Sequence, residues 1–215
     1  MNNNSFMKFV LISDTHDQQP TNPIPDGDFL IHCGDIFGND SVDNLVRFNE
    51  WMGSLPHKHR IVIAGNHDFL FEKQNQFARS LLTNVIYLQD EFIEIEGFKI
   101  YGSPWQPWFY DWAFNLPRGE PLKQKWSLIP TDTDILITHG PPYSILDRSE
   151  FENSSVGCKE LLQRVKVIKP KIHAFGHIHE GYGVQKLEGT IFVNASICDI
   201  NYRPINKPIV VELDE

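Results

Sequence analysis

The chain has 215 residues, 41% hydrophobic and 22% charged, which is the balance of an ordinary globular protein read as one domain, 1–215. It carries 28 acidic and 19 basic side chains for a formal charge of −9. That sign excludes a broad lysine and arginine grip on long nucleic acid. It leaves room for a small anionic substrate where bound divalent ions invert the local field.

Short apolar runs that end in polar residues predict strands at Met7–Ser13, Asp28–His32, Arg60–Ala64, Val85–Leu88, Phe92–Ile95 and Lys99–Tyr101. Further strands are expected at Ile135–Thr138, Ile172–Phe175, Thr190–Asn194 and Ile209–Leu213. Met1–Asn4 is a polar start expected to be disordered. After an N-cap at Asp40 or Ser41, residues Val42, Leu45, Val46, Trp51, Met52 and Leu55 share a helical face. A shorter helix is expected over Glu72–Leu82. Another after Ser155 carries Cys158, Leu161, Leu162, Val165 and Ile168 and stops at Pro170. The segment from Val85 to Tyr101 reads as an antiparallel meander turning at Glu96–Gly97. Strands alternating with helices predict an α/β domain with helices covering mixed sheets.

Cys33, Cys158 and Cys198 are too scattered for a disulfide framework, so a reducing, cytoplasmic setting is expected. No run approaches the ~18 apolar residues of a membrane span. The run from Phe6 to Ile12 is read as a strand rather than a signal peptide.

The strand ends share one vocabulary: Asp14-Thr15-His16, Gly34-Asp35, Gly65-Asn66-His67-Asp68, His139-Gly140 and Gly176-His177-Ile178-His179. In an α/β sheet such ends converge on one edge, where ligand crevices form. Oxygen and imidazole donors without thiolate suit manganese, iron or zinc. On an extended segment, alternation would aim both members of Asp14-Thr15-His16, or of His177-Ile178-His179, to one side. The glycines at 34, 65, 140 and 176 would let the backbone turn and approach the ions closely.

These blocks, in this order, resemble the signature of the calcineurin-like metallophosphoesterase superfamily. Gly102–Pro107, Asp111–Asn115, Thr138–Pro142, Gly176–Gly183 and Val193–Ser196 resemble the small metallophosphoesterase-domain phosphodiesterases first described from fetal brain. The resemblance implies a four-layer sandwich of two mixed β-sheets flanked by helices. It implies two divalent or trivalent ions, one on Asp14, His16, Asp35 and His179, the other on Asp35, Asn66, His139 and His177. His67 would be the general acid, with Asp68 orienting its imidazole. Ions ~3.5–4 Å apart can share a bridging hydroxide that attacks phosphorus. The implied substrates are cyclic nucleotides or small phosphodiesters.

His32 and His173, inside strands, are read as core or supporting residues, and His57 and His59 as solvated surface. Cys33 is read as a buried small apolar residue. The aromatic stretch Trp105 to Phe114 is read first as a packed loop or homodimer contact, and second as a stacking face for a nucleobase. Arg118 and Arg148 are weaker candidates for phosphate contact. A protein phosphatase would be expected to carry arginines beside Gly34-Asp35 and Gly65-Asn66-His67. A nuclease would want a basic groove. A non-catalytic nucleotide- or protein-binding scaffold of the same fold is the main rival, although no ligand position of the pattern is lost.

Overall fold

The computed structural model describes residues 6–214, so the polar start lies outside the described residues. The first half runs β1 (Phe6–Ile12), β2 (Phe29–His32), α1 (Val42–Ser54), β3 (His59–Val62), α2 (Phe69–Lys73), α3 (Asn75–Leu81), β4 (Ile86–Tyr87), β5 (Glu91–Ile95) and β6 (Phe98–Ser103). Then come β7 (Gln106–Pro107), β8 (Asn115–Leu116), α4 (Glu120–Ser127), β9 (Ile135–Thr138), β10 (Arg148–Ser149), β11 (Ser154–Ser155) and α5 (Lys159–Ile168). The chain closes with β12 (Ile172–Phe175), a 3-10 turn (His179–Gly181), β13 (Gly183–Leu187), β14 (Thr190–Asn194) and β15 (Ile209–Asp214).

Two sheets dominate. One is five-stranded in the order β15-β1-β2-β3-β4, the other six-stranded in the order β13-β14-β12-β9-β6-β5. In the first, β1 to β4 are parallel and β15 is antiparallel to β1. In the second, β14, β12, β9 and β6 are parallel, with antiparallel β13 and β5 at the edges. Both sheets are therefore mixed.

Period-2 alternation sorts each strand between two cores. Phe9 and Leu11 of β1 meet Ile100, Ile137, Ala174 and Val193 of the other sheet, forming the dry layer between the sheets. Val10 and Ile12, one residue out of phase, pack outward against Leu45 and Met52 of α1. On the far side, Tyr101, Leu136 and Phe175 pack against Trp126 of α4 and Leu161 and Val165 of α5. The result is a helix–sheet–sheet–helix sandwich. Each fully buried Val, Leu, Ile, Phe or Met side chain among these contributes roughly 1.5–3 kcal/mol.

Local chemistry sets the element ends. Ser41 Oγ accepts the Asn44 N–H at 3.1 Å and caps α1. Val42 and Val46, expected on its buried face, are partly exposed, and Phe48 and Asn49 are buried instead. The helix expected over Glu72–Leu82 is two helices, α2 and α3, broken at Gln74. At the β5–β6 turn Glu96 and Gly97 both have positive φ, 50° and 78°, the left-handed pair a two-residue hairpin favours. Several elements escape the periodic pattern, among them the two-residue strands β7, β8, β10 and β11. Helix α4 carries only Leu122 and Trp126 on its buried side, and β13 is an edge strand with no buried residue.

His32 and His173 are fully buried, as expected of core histidines, but His57 is also buried, with Nε2 3.0 Å from Pro25 O. It packs under the turn instead of facing solvent. His173 is the cleanest titration probe. Thr138 Oγ1 donates to Gly140 O, so the His173 Nε2–H must be the donor in its 2.9 Å bond to that hydroxyl. Nδ1 is buried without a partner, and burial depresses the ring pKa from 6.5 to about 3. The folded state thus refuses a proton that the unfolded chain accepts. This stability is complete above pH 6.5 and is lost as pH falls toward about 3. Thermal melts of chelator-treated protein should show the midpoint falling over that window, less steeply in His173→Gln. Parallel curves for the two proteins would contradict the assignment.

Candidate metal centre

The C-terminal ends of the parallel strands of both sheets meet along one seam. Ser13, just past β1, forms an isolated parallel bridge with Ser196, just past β14. Around this junction the chain turns sharply. Asp14, His16, Asp35 and His177 all have left-handed backbones, with φ of 55°, 47°, 55° and 69°. Non-glycine residues in this region cost of order 1–3 kcal/mol each and gather at functional sites. The paired side chains therefore converge through left-handed turns, and not through alternation on an extended segment as the spacing suggested.

The candidate ligands come together. Asp14, His16 and His179 place donor atoms within 4.8 Å of one another, as do Asp35, His139 and His177. Asp35 lies between the groups: Oδ2 is 3.8 Å from His16 Nε2 and Oδ1 is 3.3 Å from His139 Nε2. Asn66 Oδ1 is 2.9 Å from His139 Nε2, and Asp14 Oδ1 is 3.4 Å from His179 Nε2. A third group joins His67 to His16 and Asp35.

Hydrogen bonds behind the rings aim them. His16, His139 and His179 place Nδ1 2.9–3.0 Å from the carbonyls of Phe37, Cys33 and Asp199. A carbonyl only accepts, so Nδ1 carries the proton, and Nε2 of each ring faces the cluster, as a lone pair when the ring is neutral and as a donor when it is imidazolium. His16 Nε2 and His179 Nε2 then face each other at 3.4 Å. Two lone pairs so placed require positive charge between or upon them. Asp14 and Asp35 are almost wholly buried. Burial alone would raise their pKa, but the surrounding histidines hold both well below the usual carboxylate range. Burial alone would lower His139 and His179; Asp35 and Asp14 respectively override it and lift each to about 9. Without ions, imidazolium supplies the compensating charge. Carboxylates, an amide oxygen and lone-pair nitrogens converging on a demand for positive charge fit metal ions well.

Close packing supports the turns. A Cβ at Gly176 would collide with Asp14 Oδ2 and Ser13 Oγ, and one at Gly65 with Asp35 Oδ1. Gly140 is different, because a Cβ there would make ordinary contacts. Asp68 is not placed to orient His67 as expected. Its carboxylate accepts the N–H groups of Gly65 at 2.6 Å, Phe37 at 3.0 Å and Ile36 at 3.3 Å, and so buckles two strand-end loops together. Burial, with the charge of Asp35, pushes its pKa well up. Arg118 donates to the carbonyls of Gly157 and Val156, and Arg148 to Asn153. Cys33 is a core residue whose carbonyl, not its thiol, serves the site.

Ser196, Asn194, Trp112 and Tyr202 also reach the site, and none stands in the five strand-end blocks. Ser196 Oγ lies 2.9 Å from Asp14 Oδ2 and 2.8 Å from Asn194 Oδ1, while Asn194 Nδ2 donates to Ile178 O at 2.7 Å. Tyr202 rests its ring 4.8 Å from that of His16 and 5.4 Å from that of His179. The string Val193–Ser196 was the available signal for Ser196. Tyr202 stands in a loop far along the chain with no motif around it.

Fold and site together are those of a phosphoesterase with residues suited to hold metal ions. The chain belongs to the calcineurin-like phosphoesterase family, whose sequence profile matches residues 7–181. Members of this family are hydrolases that use divalent metals. Metallophosphoesterase domain-containing protein 1 of Homo sapiens is 48% identical over 97% of this chain and 71% of its own length. The UPF0046 protein K07C11.7 of Caenorhabditis elegans is 40% identical over 95% of this chain and 74% of its own. The solved structure of TT1561 of Thermus thermophilus shares the fold, with a TM-score of 0.59 at 13% identity, covering 88% of this chain and 89% of that one. Among the described residues no helix is long and apolar enough to cross a membrane.

Ser196→Ala removes the hydroxyl that holds Asp14 Oδ2. Losing such a supporting group typically weakens metal affinity by about 10–100-fold. Competition of Mn²⁺ between the variant and a fluorescent chelator should show that loss; unchanged affinity would remove Ser196 from the site.

Proposed function

We propose that the protein is a phosphodiesterase for cyclic nucleotides or other small phosphodiesters, acting through two metal ions. Asp14, His16, Asp35 and His179 would hold one ion, and Asp35, Asn66, His139 and His177 the other. Manganese, iron or zinc suits this donor set. Such ions, when bound, supply Lewis acidity toward the phosphoryl oxygens and lower the pKa of the attacking water.

The observation that carries the substrate class is the cavity above the cluster. It has a volume of about 950 Å³, with His16, Asp35, Asn66 and His177 on its floor and Trp108, Phe109, Tyr110 and Trp112 along one wall. The Phe109 ring approaches that of His177 edge-on at 5.8 Å. Arg118, which lines the cavity, is engaged with backbone carbonyls, while Glu150, Glu152 and Glu180 line it too. Compensation for phosphate charge is therefore concentrated at the floor. A single phosphodiester anion joined to a planar, uncharged ring matches this division; a polyphosphate or long nucleic acid does not.

On this reading Asp35 serves both ion positions and its N–H acceptor role fixes the next loop, since Oδ1 accepts the His67 N–H at 2.9 Å. His67 lines the cavity beside this floor, where its imidazole can protonate the departing ester oxygen. Burial lowers its pKa, Asp35 opposing, and the charge of a bound phosphodiester opposes that shift further.

Chelator-stripped protein should regain hydrolysis of bis(p-nitrophenyl) phosphate and of cyclic nucleoside monophosphates on adding Mn²⁺. Asp35→Ala should lower kcat/KM by on the order of 10³-fold, the scale of several kcal/mol of metal assistance. Preference for p-nitrophenyl phosphate, a monoester, would contradict the substrate class. Folded, metal-loaded protein that binds nucleotide without turnover would instead establish the scaffold.

A further inference from the structure

We propose that Trp112 is the positioning residue for His67, doing by ring packing what a carboxylate partner would otherwise do. The inference rests on His67 acting as general acid in the proposed reaction.

The His67 backbone is fixed by its N–H bond to Asp35 Oδ1. Its imidazole is another matter. Among the described residues neither ring nitrogen makes a hydrogen bond, and Asp35 Oδ2 stands 4.0 Å from Nε2. Asp68, next in sequence, is committed to the backbone of Gly65, Phe37 and Ile36. The ring is held by other rings. The Trp112 indole lies 4.3 Å from it, centroid to centroid, at an interplanar angle of 32°, and His16 meets it nearly perpendicular at 4.7 Å. Together they fix the plane in which the imidazole can turn.

Trp112 is itself anchored. The next residue, Ala113, donates its N–H to Asn66 O at 3.0 Å, and Phe114 N–H donates to Glu72 Oε1 at 2.7 Å. Asn115 Nδ2 closes the loop on the carbonyls of Phe109 and Tyr110. Phe69 backs the indole at 6.2 Å and 31°. The aromatic loop is thus bonded directly to the segment that carries Asn66 and His67. A displacement of the loop would carry the indole off the imidazole. Misplacing a reacting group by about 1 Å can cost on the order of 10²-fold in rate.

The test uses leaving groups. Methyl p-nitrophenyl phosphate expels a stable phenolate and needs little protonation, whereas methyl phenyl phosphate expels a more basic one. In Mn²⁺-loaded protein, His67→Ala should depress kcat far more on the phenyl ester than on the p-nitrophenyl ester. Trp112→Leu should do the same in weaker form, losing about 10–100-fold on the phenyl ester and under about 3-fold on the other. Trp112→Phe, which keeps an aromatic face, should recover most of the loss. Combining His67→Ala with Trp112→Leu should add no further selectivity. If His67→Ala is selective and Trp112→Leu is not, or raises KM equally for both esters, Trp112 does not position the acid and this proposal is overturned while the role of His67 stands. If His67→Ala slows both esters equally, the general-acid reading fails and this proposal fails with it. Thermal melts of each variant confirm that folded enzymes are being compared.

Discussion

Two carboxylates, Asp14 and Asp35, are buried where the strand ends of two sheets meet, and the surrounding structure answers that fact. Taking a carboxylate out of water costs several kcal/mol unless charge and hydrogen bonds compensate it. Compensation comes in layers here. The His177 N–H and the Ser196 hydroxyl hold Asp14, and the His67 N–H holds Asp35. Around these stands a ring of histidines whose Nδ1 protons point outward to carbonyls and whose Nε2 atoms point inward. Such a site requires positive charge, which imidazolium or bound metal ions can supply. The charge balance of the cluster and the integrity of the sheet junction are therefore coupled.

The scaffold makes this burial possible by spending stiffness rather than bulk. Parallel strands bring polar ends from both sheets to one seam, and Ser13 and Ser196 bridge them. The left-handed backbones at Asp14, His16, Asp35 and His177 would relax in isolation. Cross-links between neighbouring loops hold them, such as the Asp68 carboxylate on Ile36, Phe37 and Gly65. A residue read as an acid–base partner thus acts as a structural buckle. In the proposed reaction, orienting His67 falls to an aromatic ring from another part of the chain, Trp112.

Much of this was legible in the sequence, for identifiable reasons. Central strands such as β9 and β12 are unbroken apolar runs with polar ends, so Ile135–Thr138 and Ile172–Phe175 were read with their observed boundaries. The residues that gather in the centre were legible because they sit directly after those runs. Edge and surface elements were not: β13 buries no side chain, and α4 shows only Leu122 and Trp126 to the core. Distant partners were the least legible. His57 stands in a polar stretch, and only the fold brings Pro25 O over it. Tyr202 and Trp112 reach the centre through loops whose course no local pattern encodes.

In the proposed site Asp35 joins two ion positions into one centre. Electron paramagnetic resonance of chelator-stripped protein titrated with Mn²⁺ tests it most directly. Two ions per chain with an exchange-coupled spectrum, which Asp35→Ala abolishes, is the predicted result. A single ion per chain, or two that remain magnetically independent in the unaltered protein, would contradict it.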